Sequence, residues 1–179
     1  MQYNRGFTLI EMMIVIAIIA LIVSVGIPQY NSVVMNGRLS TQANELQGLL
    51  QLARSEAATN RVQTLVCGST DQANCNTNNW EQGVIAFRNR DGNNVAAADE
   101  LIRVLPATTN GITIRGANGN LRYLTDGTMT GVQILRICDN RGVNNSRQIF
   151  INTSGQSRTH QGNYDDNDAD TVADDGVCP

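Results

Sequence analysis

Residues 12 to 27 read Met-Met-Ile-Val-Ile-Ala-Ile-Ile-Ala-Leu-Ile-Val-Ser-Val-Gly-Ile, with no charged side chain among them. From Phe7 to Ile27 the segment has 21 residues, about 31 Å as a helix, which is the thickness of a bilayer's hydrocarbon core. Its one charge is Glu11. Upstream stands a single positive side chain, Arg5, which predicts a cytoplasmic N-terminus. A secretory signal would close the apolar run with a small-x-small cleavage site. Here the run is followed by Pro28-Gln29-Tyr30, so the apolar helix is expected to be kept.

The residues in front of the run carry a pattern. Arg5-Gly6-Phe7-Thr8-Leu9-Ile10-Glu11 closely resembles the class III signal of type IV pilins and type II secretion pseudopilins. The resemblance implies that a prepilin peptidase cuts after Gly6 and N-methylates Phe7, leaving residues 1–6 as a cleaved leader peptide. It also makes Glu11 the family's acidic assembly residue and places Pro28 where many pilins carry a helix-disrupting Pro. Electrostatics point the same way. A carboxylate in an apolar segment costs about 2.5–3.5 kcal/mol unless paired, and no cation follows nearby in the chain once Arg5 is gone. The natural partner is the Phe7 amine of a neighbouring subunit.

Beyond the apolar run, Leu39, Ala43, Leu46, Leu50, Ala53 and Ala57 recur in steps of four and three. That is the stripe of an amphipathic helix docked on a core. The spacing predicts one helix over residues 7–60, with 7–27 as the transmembrane or filament-core segment and weak points at Pro28 and Gly37. After Asn60, β-like runs alternate with Gly, Asn and Asp clusters. They are Val62–Val66, Val84–Arg88, Leu101–Leu105, Ile112–Arg115, Leu121–Leu124, Val132–Ile137 and Gln148–Ile151. The fold class expected is α+β, a long N-terminal helix packed on an antiparallel β-sheet domain over residues 61–179.

The β-rich part adds a second resemblance. Leu52-Ala53-Arg54-Ser55-Glu56-Ala57, then Trp80, Gly83 and Phe87 in W-x-x-G-x-x-x-F spacing, then Leu124-Thr125-Asp126-Gly127-Thr128, look like the GspH/FimT family of minor pilins and pseudopilins. Trp80 and Phe87 read as core residues. The resemblance implies a type IV pilin-like fold and a FimU-like minor pilin. Such a subunit would join other minor pilins and the major pilin, prime filament assembly on the inner-membrane platform, and sit at the pilus tip, where a tip adhesin is a further partner. It would support twitching motility and adhesion from a single-pass inner-membrane precursor with a periplasmic domain. The alternatives are a DNA-binding pilin for natural transformation and a type II secretion pseudopilin.

Cys67, Cys75, Cys138 and Cys178 all follow the apolar segment, so topology puts them in an oxidising compartment. Three pairings are open; Cys67–Cys75 is the easiest local closure and leaves Cys138–Cys178. The lone His160, with no C-x-x-C, argues against zinc.

Two C-terminal features invite a more specific reading. Gly155-Gln156-Ser157-Arg158 sits where FimT-type pilins carry a DNA-binding Gly-Arg-x-Arg motif, with Gln156 replacing the first Arg. Arg158 is therefore a candidate DNA contact, with Arg141 and Arg147 as possible compensation. Asp165, Asp166, Asp168, Asp170, Asp174 and Asp175 form an acidic tail, read as a solvated loop rather than a calcium site because it lacks the EF-hand register. With that tail set aside, residues 7–162 hold 12 Arg against 10 acids, so the net charge of −3 does not by itself exclude a polyanion. All 13 basic residues are Arg. Without Lys, and with one His, Schiff-base chemistry, a phosphate-loop Lys and paired-His devices have no residues to work with. No cofactor and no enzymatic activity are expected.

Overall fold

The computed structural model describes residues 6–108, 111–116, 119–162 and 178. Residues 1–5 of the expected leader and the six Asp of the acidic tail lie outside the described residues. The chain divides into two units, Met1–Gly37 and Arg38–Pro179. One helix, α1 (Leu9–Asn60), contributes residues to both. Pro28 lies inside it, and neither Pro28 nor Gly37 ends it.

In the first unit the helix is apolar on every side, and none of its apolar window is buried within the chain. Leu9, Ile10, Leu21, Ile22 and Val25 are among its exposed apolar residues, and Phe7 just before it is exposed too. This surface far exceeds what a monomeric soluble protein leaves open, so lipid or other subunits must cover it.

In the second unit α1 runs to Asn60, and Arg61 takes a left-handed φ of 53°, the usual way for a helix to stop. Eight strands follow: β1 (Thr64–Gly68), β2 (Val84–Arg88), β3 (Leu101–Leu105), β4 (Thr113–Gly116), β5 (Leu121–Tyr123), β6 (Gln133–Cys138), β7 (Arg147–Ile151) and β8 (Ser157–Gln161). They form two four-stranded antiparallel sheets, ordered β3-β2-β1-β5 and β4-β6-β7-β8. Seven strands match the expected runs to within two residues. The eighth, Ser-Arg-Thr-His-Gln, has no apolar alternation because it is the edge of its sheet.

All six residues of the predicted helical stripe are buried, joined by Leu49. They meet Val66, Val84, Leu121 and Tyr123 of the first sheet and Ile114, Leu135, Ile137, Ile149 and Ile151 of the second in one core. The first sheet is covered on its other face too. There Leu65, Cys67, Ile85 and Phe87 pack under Cys75, Ala96, Leu101 and Val104. Strand alternation thus sends the motif's Phe87 into this second core, while Trp80 belongs to the first. Gly83, between them, has φ 135° and its N–H bonds to Trp80 O; a Cβ there would stand 2.6 Å from Ser69 O. Only Gly lets the chain turn that closely from Trp80 into β2.

Glu81, in the same short helical turn, ties the two sheets. Its carboxylate accepts from the Ile114 N–H at 3.2 Å and from the Arg115 guanidinium, both on β4. Burial pushes its pKa up, but these hydrogen bonds outweigh that and hold it below the ordinary glutamate value. A depressed carboxylate stabilises the fold fully above its unfolded pKa, and that contribution is lost as pH falls through the folded value. The unfolding temperature of the full chain should therefore drop below about pH 4.5. Glu81→Gln should lower stability at neutral pH and flatten that acid limb. An unchanged acid limb in thermal melts would show that Glu81 does not couple the sheets.

Candidate functional site

The first candidate site is the start of α1. The Thr8 N–H donates to Glu11 Oε2 at 3.1 Å, the Thr8 hydroxyl lies 3.2 Å from the same oxygen, and the Glu11 N–H donates to Thr8 Oγ1 at 3.2 Å. This reciprocal capping box satisfies backbone donors that a helix start leaves open. Its sequence signature, Thr-x-x-Glu ahead of an apolar run, was available in the chain. Thr8 is therefore the capping residue that the sequence reading missed. The Glu11 carboxylate also has polar company within its own helix end, and no ion pair to it is present among the described residues. Gly6 and Phe7 lie exposed immediately before the cap.

The sulfur chemistry lies in the second unit. Cys67 joins Cys75, and Cys138 joins Cys178. The first bridge pins the loop that covers the outer face of the first sheet. In that loop Asp71 is held far below the usual carboxylate range by hydrogen bonds from the Asn74 side chain, the Ala73 and Asn74 N–H groups and Ser69. The second bridge fastens Cys178 to the end of β6.

The arginines singled out for DNA do not converge. Arg141 donates from Nε and Nη2 to Asp139 Oδ2, at 2.9 and 2.7 Å. Arg147 reaches Ser40 Oγ at 3.3 Å. Across the β7–β8 pair, Arg158 faces Phe150 and Arg147 faces Gln161, three residues or about 10 Å apart along the strands.

Arg158 instead shares a groove of about 490 Å³ with Arg54 of α1. Three stretches that looked unrelated in the sequence meet here. Arg54 Nε donates to Gly127 O at 3.2 Å. The 152–156 turn leans on the same place, with the Met129 N–H donating to Thr153 O at 2.9 Å. Gly155, at φ 77°, sits so close that a Cβ would stand 2.1 Å from Gly127 O and 3.0 Å from Arg54 Nε. Asp126, beside Gly127, turns its carboxylate onto the Thr128 N–H and hydroxyl, at 2.9 and 2.7 Å. Burial pushes the Tyr123 hydroxyl well above the ordinary tyrosine range, against the opposing pull of the Arg54 charge. Among the described residues, no group of three or more His, Cys, Asp or Glu side chains is placed to hold a metal ion.

Comparison with known proteins bears on both units. Residues 42–155, more than half of the chain, match the family described as type II transport protein GspH. Residues 1–27 match the prokaryotic N-terminal methylation motif. A fimbrial protein of Pseudomonas aeruginosa is 38% identical over 55 residues, which is 31% of this chain and 36% of that protein's length. Two crystal structures of the type IV minor pilin FimU of P. aeruginosa are similar in fold. One has TM-score 0.54 at 21% identity over 68% of this chain and 92% of FimU. The other has TM-score 0.54 at 22% identity over 72% of this chain and 96% of FimU. The minor pseudopilin EpsH of the Vibrio cholerae type 2 secretion system follows, with TM-score 0.50 at 13% identity over 69% of this chain and 97% of EpsH.

The two disulfides should differ in weight. They close loops of 8 and 40 residues, and chain-entropy arithmetic assigns about 2.5 kcal/mol to the shorter and about 4 kcal/mol to the longer. Paired Cys→Ser replacement at 138 and 178 is expected to destabilise the full chain more than replacement at 67 and 75, as read by denaturant unfolding. The reverse order would mean that the short bridge holds the covering loop by more than loop closure.

Proposed function

We infer the role of this chain from one premise: it belongs to the GspH family and carries the prokaryotic N-terminal methylation motif. It is a pilin-type subunit, anchored through its apolar helix, and its family works by association with other pilins in a pilus or pseudopilus. Within that family we read it as a FimU-like minor pilin. It joins other minor pilins to prime type IV pilus assembly and sits at the filament tip, in support of twitching and adhesion.

One observation carries this reading: an all-round apolar helix with no cover in its own chain, opened by a polar Thr8–Glu11 cap. A helix so exposed is metastable in any surroundings but lipid or other such helices. Cleavage after Gly6 would place the new, methylated amine of Phe7 directly before the cap, within reach of a Glu11 on an adjacent subunit. The disulfides suit a periplasmic head. The likeness to FimU supports the pilus over the secretion reading, although EpsH shares the fold. DNA uptake has less support, because Arg141 is engaged by Asp139 and Gln156 stands in place of a motif Arg.

The test separates insertion from assembly. Intact mass of the mature subunit should correspond to a chain beginning at N-methyl-Phe7. Glu11→Ala should still fractionate with the inner membrane but be lost from sheared filaments. Normal incorporation of Glu11→Ala would overturn the assembly role of that carboxylate. A deletion strain that loses protein secretion and keeps twitching would replace the pilus reading with the pseudopilin one.

A further inference from the structure

Among the described residues, four of the head's arginines are seen paired with carboxylates. Arg88 holds Glu56 at 2.8 Å, Arg115 holds Glu81, Arg141 holds Asp139 at 2.7 Å, and Arg90 reaches Asp99 at 3.3 Å. The Arg54–Arg158 groove is arranged differently. Its other lining residues are Gln, Ser, Ala and Gly, so two arginines line one concavity with no acid among the lining residues. Arg54 cannot swing away to find a partner: its Nε is bonded to Gly127 O, and the Gly155 turn is packed against its stem. Its remaining guanidinium N–H groups make no side-chain bond among the described residues, and Arg158 is exposed and likewise makes no ion pair there. Arg54 is held in place and Arg158 lines the same groove, and like charges that share one concavity repel unless an anion joins them. Gln51 and Gln156 add amide donors, and the buried Ser157 Oγ has no hydrogen-bond partner among the described residues.

We propose that the Arg54–Arg158 groove is a carboxylate-binding site that receives an Asp or Glu side chain from a neighbouring pilin subunit. Guanidinium forks match a carboxylate bidentately, which makes the contact directional as well as charged. The groove is open along one side rather than enclosed. A small free acid would be poorly covered in it, whereas a side chain presented by a larger surface fits. A nucleic-acid strand fits less well, because it calls for a row of cations and stacking aromatics. The groove lining offers two cations and no aromatic side chain. That the carboxylate comes from another pilin rests on the family reading above; that the groove selects a carboxylate does not.

The composition of the chain supplies a clean test. It contains no Lys, so Arg158→Lys introduces the sole side-chain amine while keeping the charge. Sheared filaments carrying this variant are treated with a zero-length carbodiimide, which condenses an amine with a carboxylate only when the two touch. The expected product is an amide linking position 158 to an Asp or Glu of another pilin, located by mass spectrometry. Arg103→Lys, exposed on β3 of the other sheet, should give none. A filament that contains Arg158→Lys but yields no adduct at that position, or only an adduct within the same chain, overturns the intersubunit contact.

A second arm uses the full chain in detergent, titrated with capped Asp-Gly-Asp, its Asn-Gly-Asn counterpart and a short single-stranded oligonucleotide. The Asp peptide should bind, the Asn peptide should not, and Arg158→Gln, with unchanged melting, should weaken binding at least about tenfold. Equal binding of both peptides overturns the site. Tighter oligonucleotide binding that is lost in Arg158→Gln replaces it with a nucleic-acid contact. Asp-peptide binding by a chain that never appears in filaments would sink the minor-pilin reading and leave the groove assignment standing.

Discussion

The seam along the second part of α1 is the contact on which the head depends. Leu39, Ala43, Leu46, Leu49, Leu50, Ala53 and Ala57 are buried almost completely, and both sheets present side chains to them. The alanines let strands approach, and the leucines fill the space between. Each sheet has only four strands, too little apolar surface to close on itself, so a helix is what makes one core out of two sheets. A buried Leu truncated to Ala in such a seam costs about 2–5 kcal/mol, a large part of the stability of a domain this size. The polar ties are secondary to it. Glu81 on β4, Arg54 on Gly127 and Gln47 on Ser157 O at 3.2 Å set the register of parts that the seam has already brought together.

Much of this was legible because it follows from periodicity. The stripe at steps of four and three named the seam residues before any coordinates, missing only Leu49, which lies beside Leu50 on the same buried arc. Strands with an apolar face announced themselves. β8 did not, since an edge strand that bonds Gln47 through Ser157 O and Thr159 Oγ1 needs no apolar alternation. The division of Trp80 and Phe87 between two cores was also hidden. It depends on the outer face of the first sheet being covered by the 69–79 and 89–100 stretches, and coverage by a loop leaves no periodic trace.

The candidate functional residues divide along a similar line. Gly6, Phe7 and Glu11 were read from a local pattern, and the Thr8 cap could have been, because all its atoms lie within four consecutive residues. The groove was not readable. Arg54, Gly127 and Gly155 are separated by 73 and 28 positions, and only the packing of a helix against two turns joins them. The Gly155–Arg158 stretch looked like a damaged nucleic-acid motif while it was considered alone. Beside Arg54 it is half of a two-cation device whose second half comes from the helix.

The exclusive use of Arg bears on both ends of the molecule. An ammonium is a compact, strongly hydrated charge, whereas a guanidinium is planar, weakly hydrated and able to hold several acceptors in fixed directions. At Glu56, Glu81 and Asp139 that property serves the fold: each pair is partly buried, and a fork that satisfies a carboxylate in one geometry loses little entropy. Arg54 is half-buried and, among the described residues, bonded only to a carbonyl, so its fork has donors to spare for a carboxylate that the groove's own lining does not supply. The apolar helix states the same logic in hydrophobic terms. In both places the chain exposes a surface that its own residues could have satisfied and do not, and a subunit of a polymer is the kind of protein for which such incompleteness is a working part.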